Sequence, residues 1–258
     1  METPRSFYYP DLSIWHSVDP LSDKYPNLTP YAYCVNNPVI LGAPAGKEGI
    51  VVSSSPGKQQ NKLHFLINGL DRAKAAQKRI KKGEGTTWII YNDKENGFYQ
   101  TDIDKYKKEA NDASINVKIV SEVDEIVDYI NNKTGGNSRN KDKISSFYYV
   151  GHSTVSNLDV GYQGSGQKFD PRDLKSSTFK SGTWVNVVGG CKTAVDRKIL
   201  GFIPIKKSVI RQFADILDEK SIIHGSNVRV YYPGGIAREQ KLLGKNKGKI
   251  ITINGKRR

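Results

Sequence analysis

Two residues of this 258-residue chain stand where a nucleophile and a base could meet. Phe147-Tyr148-Tyr149-Val150 is an apolar run that passes straight into Gly151-His152-Ser153. Trp184-Val185-Asn186-Val187-Val188 passes in the same way into Gly189-Gly190-Cys191-Lys192. Both runs read as buried strands. Glycines after a strand permit a tight turn and leave backbone amides accessible. If the two strands lie parallel in one sheet, His152 and Cys191 emerge at the same edge. A thiol beside an imidazole can become a thiolate, the attacking species of acyl transfer. The imidazole can then protonate the leaving amine. The amides of Gly190, Cys191 or Ser153 are candidates to stabilise the oxyanion. Asp159 and Asp170 are candidates to orient His152 or to form a substrate pocket. Taken singly, Cys191 reads equally well as a small buried hydrophobe and His152 as a satisfied loop histidine. Their matching places at two strand ends favour the catalytic reading.

The other reactive side chains make weaker patterns. Cys34 lies in Tyr33-Cys34-Val35-Asn36-Asn37 and reads as structural. His16 and His64 lack neighbours at metal-ligand spacing. His224 follows a short apolar run and could enter the same cleft. Gly161, Gly164 and Gly166 are followed by no Lys-Ser/Thr pair, so this stretch reads as a flexible loop and not a phosphate cradle. The reading calls for no metal and no cofactor. Two cysteines also exclude a disulfide-rich scaffold and a four-thiolate zinc site.

The elements that must position these residues alternate between strands and helices. Residues 63–67 predict a short strand, 71–82 a basic helix ending at Gly83, and 86–91 a β-branched, aromatic strand. A helix over 102–113, with Thr101 as a cap, and a strand over 117–120 follow. Val123, Ile126, Val127 and Ile130 have helical spacing behind Ser121. Residues 134–143 predict a polar loop. Strands over 146–150 and 184–188 carry the two candidate residues. An amphipathic helix over 208–217 and short strands over 221–224 and 228–232 complete the order. This alternation implies an α/β/α sandwich with a mainly parallel sheet, in which sites form beyond the carboxyl ends of the strands.

Charge and proline divide the chain. Its net charge is +14. Residues 1–49 carry three cations and five anions, a net −2, which leaves +16 on the remainder. They also hold seven of the 11 prolines, which forbids a long helix there. Ser53-Ser54-Ser55-Pro56-Gly57-Lys58 reads as a linker, giving a first segment over 1–49, a linker over 50–60 and a main domain over 61–258. No uncharged apolar run reaches about 18 residues, so no membrane insertion is expected. The start of the chain lacks the basic flank and apolar core of a secretory signal. The excess of cations points to an acidic partner. The basic run around Lys74 to Lys82 and the tail over 245–258 also fit a nucleic-acid-directed enzyme, such as a nuclease, although no acidic metal-binding cluster accompanies them.

Two resemblances sharpen this reading. Phe7-Tyr8-Tyr9-Pro10-Asp11-Leu12, Ser17-Val18-Asp19-Pro20-Leu21 and Tyr31-Ala32-Tyr33-Cys34-Val35-Asn36-Asn37-Pro38 follow one another at short spacing. In that order they strongly resemble the C-terminal end of the Rhs-repeat-associated core, the shell that encloses polymorphic toxins. The family closes this segment with an Asp-Pro-x-Gly motif that acts as an aspartyl autoprotease. Here Ala43-Pro44-Ala45-Gly46 stands in its place, with Ala43 and Ala45 where the family has aspartate. A methyl group can neither activate water nor share a proton, so the junction is expected to stay uncut. The resemblance implies that the following domain is a toxic effector. It would be carried by a secretion apparatus through the upstream core into the target-cell cytoplasm, and neutralised by a cognate immunity protein, here an acidic one. A non-catalytic basic module that binds such a protein is a further alternative.

Residues 145–232 resemble the caspase-like (clan CD) cysteine peptidases. These place a histidine after one core strand and the nucleophilic cysteine after the next, then a helix and a strand such as 208–217 and 221–225. The resemblance implies that His152 is the catalytic histidine, Cys191 the nucleophile and a target-cell protein the substrate. Ser153 stands where the family usually has a glycine of the oxyanion hole. The expected fold is therefore a caspase-like sandwich behind a short irregular Rhs remnant.

Overall fold

The structure is a computed structural model. The structure describes residues 8–9, 14–15, 48–57, 63–79, 84–133, 139–161, 167–199, 203–231, 241–243 and 249–256. The chain divides into two compact units, Met1–Pro44 and Ala45–Arg258. In the first, β1 (Tyr8–Tyr9) and β2 (Ile14–Trp15) pair antiparallel. The Ala43-Pro44-Ala45-Gly46 motif, Cys34 and His16 lie outside the described residues.

The second unit is built on a seven-stranded sheet. In chain order its strands and helices are β3 (Glu48–Ser53), α1 (His64–Arg79), β4 (Gly85–Tyr91), α2 (Gln100–Asp112), β5 (Ile115–Val120), α3 (Val123–Asn132) and β6 (Ile144–Val150). A small antiparallel meander follows, formed by β7 (His152–Ser153), β8 (Leu158–Asp159) and β9 (Lys168–Phe169). Then come β10 (Phe179–Gly189), the hairpin β11 (Arg197–Ile199) and β12 (Ile203–Lys206), and α4 (Val209–Ile216). The chain continues through β13 (Ile222–Ser226), the paired β14 (Arg229–Tyr231) and β15 (Lys241–Leu243), and β16 (Ile250–Asn254). The sheet order is β16-β13-β10-β6-β3-β4-β5, parallel throughout except for β16 against β13.

Helices cover both faces. Ile50, Val52, Ile89, Tyr91, Phe147, Tyr149, Val185 and Val187 pack on one side with residues of α3 and α4. Val51, Trp88, Ile90, Tyr148 and Val150 pack on the other with α1 and α2. The alternation along each strand follows from the two-residue period of the pleat. The result is an α/β sheet sandwiched between helices, as the alternating pattern implies.

Three elements differ from the sequence expectation. The first is the linker over 50–60, whose described part, 50–57, is a fully buried central strand and the turn that follows it. Ile50, Val51 and Val52 are wholly buried, and each such side chain contributes about 1.5–3 kcal/mol. The serines that suggested a linker are buried because their polar atoms are satisfied. Ser53 Oγ donates to Phe65 O (3.0 Å), Ser54 N to Val150 O (3.0 Å) and Ser55 N to Val160 O (2.8 Å).

The second difference is that the expected strand over 63–67 and the described part, 71–79, of the expected helix over 71–82 belong to one helix, α1. Gly69 interrupted the pattern, and its reason is close packing. A Cβ there would stand 2.0 Å from Ser53 Oγ and 2.7 Å from Trp88 Nε1. The third is β16, inside the tail that reads as merely basic. Its Ile251 and Ile253 pack on the α4 side of the sheet.

The amino-terminal ends of the strands hold a buried ionic cluster. Glu48 is 3 % exposed and Arg139 2 %. Glu48 accepts from Arg139, Thr87 and Tyr129 (2.8 Å from Tyr129) and lies 3.5 Å from Lys133. Arg139 also donates to the carbonyls of Ile130 (2.8 Å), Tyr129 (2.9 Å) and Asp142 (3.1 Å). Burial pushes the Glu48 carboxyl up, but the charges of Arg139 and Lys133 and the hydrogen bonds from Thr87 and Arg139 hold it below the usual carboxylate range.

Candidate active site

The carboxyl ends of the strands bring the two sequence candidates to neighbouring positions. The chain winds outward from β3 to β4 and β5, then crosses to β6 on the other flank of β3. The order therefore reverses between β3 and β6, the switch point at which open α/β sheets bind ligands. His152 lies just past β6, and Cys191 lies two residues past β10 on the adjacent parallel strand. Gly151 N donates to Gly189 O (3.3 Å), so the two strand ends stay level.

His152 is held from three directions. Its N–H donates to Ser54 Oγ at the end of β3 (3.1 Å). Its carbonyl lies 2.5 Å from Tyr149 Oη, which also lies 3.0 Å from Asp159 O, so one phenol ties β7 to β8. Its ring meets Phe65 of α1 edge to face, with centroids 4.9 Å apart. Ser54 and Phe65 carried no functional signal in the sequence, because they lie in a segment read as linker and strand.

Cys191 is a free, half-buried thiol. Among the described residues its sulfur bonds Val230 of β14 twice: Sγ accepts from Val230 N (3.4 Å) and donates to Val230 O (3.7 Å). Its carbonyl accepts from Ser153 Oγ (2.6 Å), so the loop after β6 grips the loop after β10. The next residue, Lys192, has a φ of 54°, unusual for a side chain-bearing residue, and is held there by Lys192 N donating to Val228 O (2.8 Å). Thr193 Oγ1 donates to Val187 O (3.0 Å) and accepts from Ser226 N (2.9 Å), which fastens the loop to β13.

The remaining candidates separate. Gly190 N donates to Val187 O (3.1 Å) and is spent on the turn. The Cys191 N–H makes no such bond among the described residues. Asp159 stands opposite His152 in the β7–β8 ladder. Asp159 is 2 % exposed, and its Oδ1 has no hydrogen-bond partner among the described residues. Burial pushes its carboxyl up, against a weaker opposing pull from Lys168. Asp170 is engaged elsewhere. It caps the short turn Pro171–Asp173 and binds Arg172 through Nε (3.0 Å) and Nη2 (2.6 Å), with Lys206 at 3.6 Å.

His224 lies within β13 and not in the loops. Its Nδ1 pairs with Thr252 Oγ1 (2.9 Å), its ring meets Trp184, and burial lowers its pKa. His64 is buried at the start of α1 against Phe65. Among the described residues no cluster of three or more His, Cys, Asp or Glu could hold a metal, and no helix is long and apolar enough to cross a membrane. No known protein family, no curated protein and no solved structure matches this chain.

Proposed function

We propose that the second unit is the effector domain of an Rhs-type toxin and hydrolyses peptide bonds in a target-cell protein through His152 and Cys191. One observation supports this above the others. His152 and Cys191 follow the adjacent parallel strands β6 and β10, the first of which borders the sheet's switch point, and their loops are joined by the 2.6 Å bond from Ser153 Oγ to Cys191 O.

The chemistry runs as follows. The Cys191 sulfur exchanges its Val230 partners for the imidazole and gives up its proton to His152. The thiolate attacks the scissile carbonyl carbon and forms a C–S bond, with the oxyanion facing the Cys191 N–H. His152 passes its proton to the departing amine as the C–N bond breaks. Water, deprotonated by His152, then cleaves the thioester and restores the thiol. Asp159 orients His152 from the opposing strand.

The net charge of +16 on residues 50–258 supports an acidic protein partner, an immunity protein that neutralises the toxin. The reading is tested by producing the chain in a bacterial cytoplasm. Growth arrest that disappears in both Cys191→Ala and His152→Ala is expected. Undiminished arrest in Cys191→Ala overturns it.

A further inference from the structure

Two hydrogen bonds at these strand ends repeat one pattern across three neighbouring strands. Ser54, at the end of β3, accepts the N–H of His152, the residue after Gly151. Ser153, just beyond β6, donates to the carbonyl of Cys191, the residue after Gly190. In each case the glycine makes room for the serine. A Cβ on Gly151 would stand 2.2 Å from Ser54 Oγ and 2.5 Å from Ser54 Cβ. One on Gly190 would stand 2.6 Å from Ser153 Oγ and 2.9 Å from Thr193 Cγ2. Neither glycine has a positive φ, so neither is needed for its backbone conformation. Close approach is the property that both positions use.

We infer that Ser54 and Ser153 are positioning residues that set the dyad in two steps. Ser54 fixes the His152 loop to β3, and Ser153 fixes the Cys191 loop to the His152 loop. This rests on the dyad reading, because register between the two loops matters most if imidazole and thiol must meet. A buried hydroxyl at Ser54, 0 % exposed, is otherwise a costly choice at the end of an apolar strand.

The test is the rate at which iodoacetamide alkylates Cys191 in the full chain carrying Cys34→Ala, where it is the one remaining thiol. His152→Ala should slow alkylation at pH 7 by about 10-fold or more, since the imidazole promotes the thiolate. Ser54→Ala and Ser153→Ala should each slow it by about 3- to 10-fold, the scale of one well-placed hydrogen bond. Ser153→Thr, which keeps the hydroxyl, should recover most of the rate. Both losses should fade near pH ~10, where a thiol ionises without help.

Wild-type rates in both serine variants, with His152→Ala slow, overturn the positioning role and leave the dyad standing. A loss that persists undiminished at pH ~10 also overturns it, because it marks altered access. A wild-type rate in His152→Ala removes the dyad, and the positioning role with it. If Ser54→Ala fails to fold, Ser153→Ala and Ser153→Thr decide the matter.

Discussion

Two almost wholly buried carboxylates mark the two ends of this sheet, and they are treated in opposite ways. Glu48, at the amino end of β3, has an arginine, a hydroxyl, a phenol and a lysine around it, and its pKa is held down. Asp159, beyond the carboxyl ends, has an oxygen with no hydrogen-bond partner among the described residues, and burial pushes its pKa up. Removing one member of a compensated buried pair strands the other charge and costs stability, and a buried charge without a partner costs it outright. The amino ends thus lock β3, β4, α3 and the following loop together. The carboxyl ends tolerate an expensive group where a histidine and a cysteine emerge.

The largest expected effect lies at the locked end. Glu48→Ala strands Arg139 with its charge buried, and should cost about 3–5 kcal/mol of unfolding free energy. Denaturant unfolding measures it. A cost below about 1 kcal/mol would remove the contrast between the two ends. Next comes Gly151→Ala, whose new methyl group collides with Ser54. It should cost about 1–3 kcal/mol, and much of that cost should vanish in the double variant with Ser54→Gly. Additive costs would show that the two positions do not share space.

Acid should act through the same contrast. A carboxyl whose folded pKa lies below its unfolded value of 4.5 stabilises the fold above that pH. That stability is lost as the pH falls through the folded pKa. Unfolding free energy should therefore fall as the pH drops below 4.5, with a shallower slope in Glu48→Gln; an unchanged slope would place the acid sensitivity elsewhere. The smallest effect belongs to the other carboxylate. A folded pKa raised above the unfolded value makes the ionised form a burden at neutral pH, so Asp159→Asn should stabilise the fold, by about 1 kcal/mol or less. Thermal unfolding at pH 7 reads it, and destabilisation would mean that Asp159 is satisfied after all.

Much of the fold was legible because its signals are local. β4, α2, β5, α3, β6 and α4 each carry their own apolar period. The candidate dyad was legible for the same reason: two apolar runs each end in glycine and a reactive residue. What the sequence concealed depends on partners far away along the chain. Arg139 meets Glu48 across 91 residues, from inside a stretch that reads as a polar loop. Ser54 meets His152 across 98. Ser53 to Ser55 have linker composition, and only their buried hydrogen bonds reveal a central strand. Gly69 and Gly151 each serve a close approach that exists only in the folded sheet.

In the proposed function, Cys191 cleaves protein with the help of His152. The most direct measurement labels new protein amino termini in bacterial cells producing the wild-type chain, Cys191→Ala or His152→Ala. A discrete set of new termini with the wild type, absent from both variants, is the predicted result. The same termini in wild type and Cys191→Ala, with growth arrest in both, would contradict it.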